Sequence, residues 1–351
     1  MGKHHTPEKP VLPDRSALRT VVLALAGLTV FVIAMVASYS GAFAKPTLHH
    51  MTVAVSAPPQ IVDGLRAQDT LQVTDVGNAD AARREVFERR ADTAFAVTPD
   101  RQLAIYVAGG GGHSVAAAAE TVGRTVADRA GLPVVVTDVA PTSAGDPSGT
   151  VEFYAVIFLS IGASLGAALL GRLMGPVRSP RTFALRTLSL SAFSAVLAGA
   201  VTVYADVVLG ALVGHTWQVF GALWLYAMAV GGAVTGVAAA FGTAASVLLG
   251  LFLVVVGNAA AAGPVGRPLL SGFYSTFTAI VPQGSGVSLL RSISYFDGHG
   301  AAVGLATLGA WAAVGCVLAV LATAVRLNYR AAYERIADRA VLRPRLLQSA
   351  D

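Results

Sequence analysis

A run of four glycines, Gly109–Gly112, stands between a predicted strand and a predicted helix and is followed by His113 and Ser114. A glycine turn in that position can hold a phosphate group on the backbone N–H groups that begin a helix. The turn is not a Walker A loop, because no lysine follows the glycines and no Gly-Lys-Ser or Gly-Lys-Thr occurs in the chain. We therefore interpret it as a flexible connection, in a chain with no recognisable ATPase motif.

Two polar side chains lie within long apolar runs. Asp206 interrupts the run VTVYADVVLGALVG, and Asn258 interrupts a later one. An ionisable group at membrane depth is a candidate contact for a proton or a substrate. Asp206 could instead reach water or pair with Tyr204 or His215, and Asn258 could form an interhelical hydrogen bond. We treat Asp206 and Asn258 as candidate residues of a transport pathway.

The sequence has no recognisable pattern for metal binding or hydrolysis. No histidine spacing is typical of a zinc site, and neither a Ser-His-Asp triad nor a pair of carboxylates stands out. We therefore predict no catalytic residue, no metal site and no cofactor, and we expect that the chain is not an enzyme. The histidines considered are His49, His50, His113, His215 and His299.

The composition indicates that lipid solvates much of the chain. Of its 351 residues, 54% are hydrophobic and 13% are charged, which is about half the charged fraction of a typical soluble domain. The net charge of +5 could suit a nucleic-acid partner. The basic residues cluster at the ends of apolar runs, however, which favours membrane lipid as the partner and argues against nucleic acid.

The first apolar run, residues 18–44, follows a polar tail, residues 1–17. It is long enough to cross a bilayer as one helix, which needs about 20 residues. Ala42-Phe43-Ala44 would also fit a signal-peptidase site. Because the run is longer than the apolar region of about 7–15 residues in a signal peptide, we favour a retained transmembrane helix.

Residues 45–150 predict a compact α/β domain that ends in a Pro/Gly/Ser-rich linker, Pro141–Gly149. Five apolar runs have the length and composition of strands, and two charged, alanine-rich stretches have helical patterns. The predicted strands are Met51–Val55, Leu71–Val76, Thr93–Val97, Leu103–Val107 and Leu132–Val139, and the predicted helices are Ala79–Arg90 and Ser114–Ala130.

Residues 151–325 predict a bundle of five further spans, so we expect six transmembrane helices with the α/β domain inserted between helices 1 and 2. The predicted spans cover residues 151–174, 187–213, 217–241, 243–263 and 301–325. Small residues four apart allow close helix packing, although an alanine- and glycine-rich genome also produces such pairs by chance. The pairs are Gly162/Gly166, Gly232/Gly236 and Ser246/Gly250. The single cysteine, Cys316, excludes an intrachain disulfide and is expected in the core.

Arginine and lysine near the helix ends predict the orientation of the protein. The N-terminal tail, the loop Gly171–Arg186 and the tail 326–351 hold most of the basic residues outside the large domain. Both termini should therefore be cytoplasmic and residues 45–150 extracytoplasmic, in a multi-pass protein of a bacterial plasma membrane. The basic tail is typical of an amphipathic helix on anionic lipid or of a surface for a partner.

The stretch 263–300 is too apolar for an ordinary solvated loop, yet prolines and glycines interrupt it. Two amphipathic pieces, Leu269–Val281 and Val287–Phe296, should lie at the interface or re-enter the bundle, where irregular backbone must be buried or line a cavity. We interpret the stretch as a candidate outer gate, with a simple interfacial cap as the alternative. The candidate gate residues are Pro264, Pro268, Pro282, Tyr295 and Phe296.

The loop Gly171–Arg186 is short, basic and marked by prolines. Anchoring by the positive-inside rule would explain its charge, and docking of a cytoplasmic partner is the functional alternative. The candidate docking residues are Arg172, Arg178, Arg181 and Arg186.

Four stretches of the chain carry a resemblance to a known family. They are MTVAVS after the first helix, AARREVFERRADTAFAV, DVAPTSAGDPSGTVEFYAVIFLSIGASLG and GPVGRPLLSGFYSTFTAIVPQGSGVSLLRSISYFDG. With the order of one span, one domain and five spans, the chain resembles the ABC-2-type permeases, in particular the phage-infection-protein-like membrane proteins. The resemblance covers nearly the whole chain after residue 18, although the first strand lacks the Asn-x-Asp-x-Gly turn common in the family.

The resemblance implies a permease subunit that dimerises, or pairs with a second permease, and is driven by a separate cytoplasmic ATPase. The loop Gly171–Arg186 would receive the motion of the ATPase, and the stretch 263–300 would gate release of the substrate. The expected function is export of an amphipathic or lipid-like substrate. The alternative is a non-transporting receptor or scaffold that acts through its extracytoplasmic domain.

Overall fold

The structure, a computed structural model, describes residues 15–175 and 179–348, with side chains described up to residue 329 except at residue 327. Most of the predicted N-terminal tail, Arg178 of the predicted docking loop and the side chains of most of the predicted C-terminal tail lie outside the described residues.

A five-stranded sheet forms the centre of the domain between the first two long helices. Its strands are β1 (Met51–Ser56), β2 (Leu71–Asp75), β3 (Thr93–Val97), β4 (Leu103–Val107) and β5 (Val134–Asp138). Their order in the sheet is β2-β1-β3-β4-β5. The β3–β4 pair is antiparallel and the other pairs are parallel. All five strands lie where the sequence predicts them.

Three helices cover the two faces of this sheet: α2 (Pro59–Arg66), α3 (Ala79–Phe87) and α4 (His113–Ala130). Alternate residues of a strand point to opposite faces. The larger side chains, such as Val53 and Phe95, pack with α2 and α4, whereas Ala54, Ala94 and Ala96 face α3. The alanine face leaves room for an aromatic side chain from outside the domain, and Phe296 packs there.

The rest of the described chain is almost entirely helical. Its helices are α5 (Val151–Met174), α6 (Pro180–Val203), α7 (Thr216–Phe241), α8 (Thr243–Phe252), α9 (Gly272–Thr278), α10 (Pro282–Tyr295) and α11 (Ala301–Gln348), and α1 (Arg15–Phe43) precedes the sheet. Five stretches are long and apolar enough to cross a membrane: α1, α5, α6 with its π-helical extension to Val208, α7 and the first part of α11. This is the composition of a helical membrane protein.

The stretch 243–263, predicted as a span, is not among these five. Helix α8 has ten residues, and a five-residue π-helical turn, Leu253–Gly257, extends it. At 1.5 Å per residue the two cover about 22 Å, which is short of the hydrocarbon thickness of about 30 Å. A positive φ of 56° at Ala262 then turns the chain into the buried segment that leads to α9.

Helix α7 is the most buried of the five candidate spans, whereas the apolar stretch of α1 is exposed along its length. Helix α11 crosses α7 closely, since a Cβ atom placed on Gly236 would lie 2.3 Å from the carbonyl oxygen of Gly315. The predicted Gly232/Gly236 pair therefore serves helix packing, but Gly250 faces open space. Cys316 is exposed on α11, so its predicted core position is wrong.

Gly236→Leu should destabilise the protein because the added side chain would force α7 and α11 apart. Overpacking costs about 1–3 kcal/mol, which corresponds to a fall of about 3 °C or more in the unfolding midpoint. Tryptophan fluorescence during thermal unfolding in detergent measures this midpoint. Gly250→Leu is the matched control, and an equal fall in both variants would contradict the α7–α11 contact.

Candidate functional site

Helix α10 lies inside the protein rather than at its surface. Eleven of its fourteen residues are buried, including the polar residues Gln283, Ser285, Arg291 and Ser292. It contacts α5, α7 and α11 along the bundle, and the glycine turn of the α/β domain at its C-terminal end. The helix therefore connects the domain to the bundle.

The guanidinium of Arg291 binds four backbone carbonyls where the domain meets the bundle. Its Nη1 donates to Gly111 O at 3.1 Å and to Ala262 O at 3.4 Å. Its Nη2 donates to Gly149 O at 3.2 Å and to Gly263 O at 3.0 Å. Arg291 is only 4% exposed, and a buried charge must be paired or hydrogen-bonded. It thus joins the glycine turn, the linker and the segment before α9.

The glycine turn is a packed turn, which corrects its interpretation as a flexible connection. Gly109–Gly111 form a 3₁₀ turn, and Gly109 N donates to Asp138 Oδ1 at 3.0 Å. A Cβ atom on Gly110 would lie 2.4 Å from Cγ of Tyr295. The glycines are needed because only a backbone without side chains lets the end of α10 approach so closely.

Arg89 forms a second connection between the domain and α10. Its Nη1 donates to Ser288 O at 2.8 Å and to Ser292 Oγ at 2.6 Å, and its guanidinium lies 5.0 Å from the ring centre of Phe296. Burial, followed by the nearby charge of Arg291, lowers the pKa of Arg89 to about 10, and Asp92 opposes this change. Arg89 therefore stays charged at neutral pH, and its charge strengthens these bonds.

A cavity of about 250 Å³ lies beside these two arginines and is called the junction cavity here. Arg89, Arg267 and Arg291 line it, with Asp92 as the one acidic residue among the described lining residues. Asp92 is already engaged, because its Oδ2 accepts from the backbone and hydroxyl of Thr52 at 2.8 and 2.7 Å. The cavity has the charge to hold a small anionic group or a hydrogen-bond acceptor.

Helices α5 and α10 share further buried polar groups, called the polar seam here. At its domain end the fully buried carboxylate of Glu152 lies near Arg291 and the hydroxyl of Tyr295. Neither carboxylate oxygen reaches hydrogen-bond geometry with any described group. A carboxyl group in this position can exchange a proton or attract a cation.

Deeper in the bundle, the side-chain nitrogen of Gln283 donates to Ser160 Oγ at 3.0 Å and to Leu253 O at 2.9 Å. The side-chain oxygen of Gln283 and the nearby hydroxyl of Tyr226 have no hydrogen-bond partner among the described residues. Ser160 follows Glu152 by eight residues, so this level lies about 12 Å further along α5. The polar seam thus has two levels.

The structure does not bring the two predicted pathway residues together. Asp206 is half-buried in the π-helical turn that ends α6, where it accepts a hydrogen bond from Thr216 Oγ1. Asn258 directly follows the π-helical turn after α8 and is buried near the hydroxyl of Tyr39. Its amide group has no hydrogen-bond partner among the described residues. Neither lines the junction cavity.

Four of the five predicted gate residues lie around the junction, and Pro282 does not. Pro268 lines the junction cavity and its carbonyl accepts from His49 N at 2.7 Å, while the carbonyl of exposed Pro264 accepts from Ser114 Oγ at 3.1 Å. Pro282 is the first residue of α10. Tyr295 and Phe296, at the other end of α10, pack on the glycine turn and the alanine face.

The predicted docking arginines lie at the opposite end of the bundle, with Arg178 outside the described residues. Arg172 and Arg181 are exposed, which a docking surface requires. Arg186 is buried and lines a cavity together with Arg172. Arg186 is therefore not available on the surface, which corrects its assignment to a docking face.

Comparison with protein-family models, curated proteins and solved structures finds no match to this chain. Within the described residues, no group of three or more histidine, cysteine, aspartate or glutamate side chains could hold a metal ion.

Sequence reasoning missed Arg89, Glu152, Gln283 and Arg291 as site residues. A signal was present for Glu152, because it is a charged residue at the start of a long apolar run, the same pattern that singled out Asp206. Arg291 lies in the shorter stretch VSLLRSISYF, where serines alternate with apolar residues. Gln283 and Arg89 had no such signal, since a glutamine after a proline and an arginine in a charged helix both resemble solvated positions.

Arg291→Met should loosen the domain from the bundle, because four buried carbonyls would lose their charged donor. A hydrogen bond to a charged group contributes about 1.5–3 kcal/mol, so we expect amide hydrogen exchange at residues 109–116 and 258–268 to become about tenfold faster or more. Exchange measured by mass spectrometry on the full chain tests this.

Arg267→Met is the matched control, since Arg267 lines the same cavity but is exposed. Unchanged exchange in Arg291→Met, or the same acceleration in both variants, would contradict the role assigned to Arg291.

Proposed function

We propose that the chain is a permease subunit of an ABC-2-type transporter that exports an amphipathic or lipid-like substrate and is driven by a separate cytoplasmic ATPase. In this proposal the membrane domain has six spans, the short α8 and the segment after it acting together as one. The termini are cytoplasmic and the α/β domain is extracytoplasmic. The sequence resemblance motivates the proposal, and the polar seam supports it.

The observation that carries the proposal is the set of buried polar groups within the bundle. Glu152 and Asn258 each have two side-chain atoms without hydrogen-bond partners among the described residues, and Gln283 and Tyr226 each have one. Polar groups at membrane depth are costly and mark substrate or ion pathways. A scaffold or receptor that works through its α/β domain gains nothing from such groups, so the seam favours transport.

The position of α10 suggests how the bundle and the domain would move together. It packs against α5, α7 and α11 and ends at the glycine turn. A shift of α5 or α7 caused by an ATPase at the opposite end would be transmitted through α10 to Arg291 and the junction. Release of substrate would then require separation of the Arg291 contacts, with the segment 263–300 as the gate.

Affinity purification of the full chain in mild detergent tests the proposal. The proposal expects a stoichiometric second protein that carries an ATP-binding motif, identified by mass spectrometry. Repeated purification of the intact chain without such a subunit would contradict transport by this mechanism and favour the receptor or scaffold alternative.

Charge reversal at Arg178 and at Arg181, which lies in the first turn of α6, should weaken the association of the chain with the ATPase. The double variant Arg178→Glu with Arg181→Glu is expected to reduce recovery of the ATPase about tenfold, because each like-charge contact at an interface costs on the order of 1 kcal/mol or more. Quantitative mass spectrometry of the purified complex measures the recovery.

A matched double reversal, Arg83→Glu with Arg129→Glu, changes two exposed arginines of the α/β domain and should leave recovery unchanged. Equal recovery from the loop variant and the wild type would remove this loop from the docking surface.

A further inference from the structure

A second cavity, of about 570 Å³, lies at the end of the bundle opposite the α/β domain and is called the basic cavity here. The last turns of α5 and α7, the first turns of α6 and α8, and α11 line it. The polar seam does not extend to it, and neither the gate residues nor the predicted pathway residues line it. Its volume is within the range of ligand sites, about 300–1,000 Å³.

Three arginines, Arg172, Arg186 and Arg326, line the basic cavity, and none of its described lining residues is acidic. Arg326 donates to Ala239 O at 2.5 Å. Arg172 is exposed at the mouth. The three side chains come from α5, α6 and α11, so the fold, and not one basic stretch of sequence, brings the positive charges together.

Arg186 is the one buried arginine of the three, since Arg172 and Arg326 are exposed. It is 7% exposed, its Nη1 reaches only Gly175 O at 3.4 Å, and its buried Nε has no partner among the described residues. Gly171 allows this placement, because a Cβ atom there would lie 2.7 Å from Nη2 of Arg186. A buried cation without a carboxylate partner is costly, which indicates that an anion completes the site.

The N-terminus of α8 adds a second source of positive potential. Gly242 occupies the N-cap position with φ +91°, and no side chain caps the helix there. Gly242, Thr243 and Ser246 line the cavity. The free N–H groups and the dipole at the start of a ten-residue helix favour an anion. The helix and the arginines therefore both favour a negatively charged ligand.

The rim of the basic cavity is apolar and accessible from the side. Val247 lines the cavity and is 51% exposed, and Leu248 and Leu251 of α8 are exposed beside it. Leu169 and Leu173 of α5 are also exposed. We expect such exposed apolar residues on α5, a candidate span, and on the adjacent short helix α8 to face acyl chains, so an anion in this cavity would have apolar surface next to it.

We propose that the basic cavity binds the phosphate headgroup of an anionic phospholipid whose acyl chains lie along α5 and α8. Basic pockets between transmembrane helices bind such headgroups. The arginines and the start of α8 would bind a phosphate group in a lipid headgroup or as free inorganic phosphate. Only a lipid would also contact the apolar rim, which favours the lipid. The proposal does not rest on the permease function, since a resident lipid could hold α5, α6, α8 and α11 together in either case.

Native mass spectrometry of the delipidated full chain tests the proposal. Phosphatidylglycerol should bind at least about tenfold more tightly than phosphatidylcholine, and millimolar inorganic phosphate should not displace it. Equal binding of the two lipids would overturn selection by headgroup charge. Displacement by inorganic phosphate would overturn the lipid assignment and leave a free-anion site. These comparisons use the wild-type protein and do not depend on the folding of any variant.

The double variant Arg186→Gln with Arg326→Gln should weaken phosphatidylglycerol binding about tenfold or more, because it removes two of the three charges. Arg181→Gln is the matched control, since Arg181 is exposed near the same helix end but does not line the cavity. Circular dichroism checks that both variants fold. Equal loss of binding in both, or wild-type binding in the double variant, would overturn the site.

Discussion

The structure depends on one buried guanidinium. Arg291 lies where water is excluded, and a charge in such a place is tolerated only when its donors are hydrogen-bonded. Its four acceptors are carbonyls from the glycine turn, the linker and residues 262–263. These segments are far apart in sequence, so satisfying one side chain fixes where the α/β domain lies on the bundle. The close approach of Gly110 to Tyr295 and the packing of Phe296 on the alanine face follow from the same placement.

The buried arginines at the two ends of the bundle differ in their hydrogen-bond partners. At the domain end, the terminal guanidinium nitrogens of Arg89 and Arg291 donate to backbone carbonyls and serine hydroxyls. The Nε atom of Arg291 has no partner among the described residues, and Glu152 lies near Arg291. At the opposite end, Arg186 has one weak acceptor and an uncapped helix start nearby. The first arrangement joins the α/β domain to the bundle, whereas the second leaves a buried donor that the proposed lipid headgroup would accept from. The polar seam lies between them.

The sequence predicts those features that depend on local pattern. The five strands and four of the five long spans after residue 150 follow from runs of apolar residues, because run length and periodicity decide such elements. The short α8 was predicted as a full span, since its apolar run continues into a buried non-helical segment that has the same composition. Burial of Gln283 and Arg186, and the packed state of the glycine turn, depend on contacts between distant segments, which no local pattern encodes. Cys316 was misplaced because lipid-facing and core positions are equally apolar in a membrane helix.

The most direct test of the central claim, that Arg291 and α10 hold the domain and bundle as one unit, is a spin-label distance measurement. Labels at Asp100→Cys in the domain and Val303→Cys at the start of α11, both exposed in the structure, would be introduced in a Cys316→Ala background and reconstituted in lipid nanodiscs. The account predicts a single narrow distance distribution. A broad or multiple distribution in the resting protein would contradict it, because the domain would then move independently of the bundle.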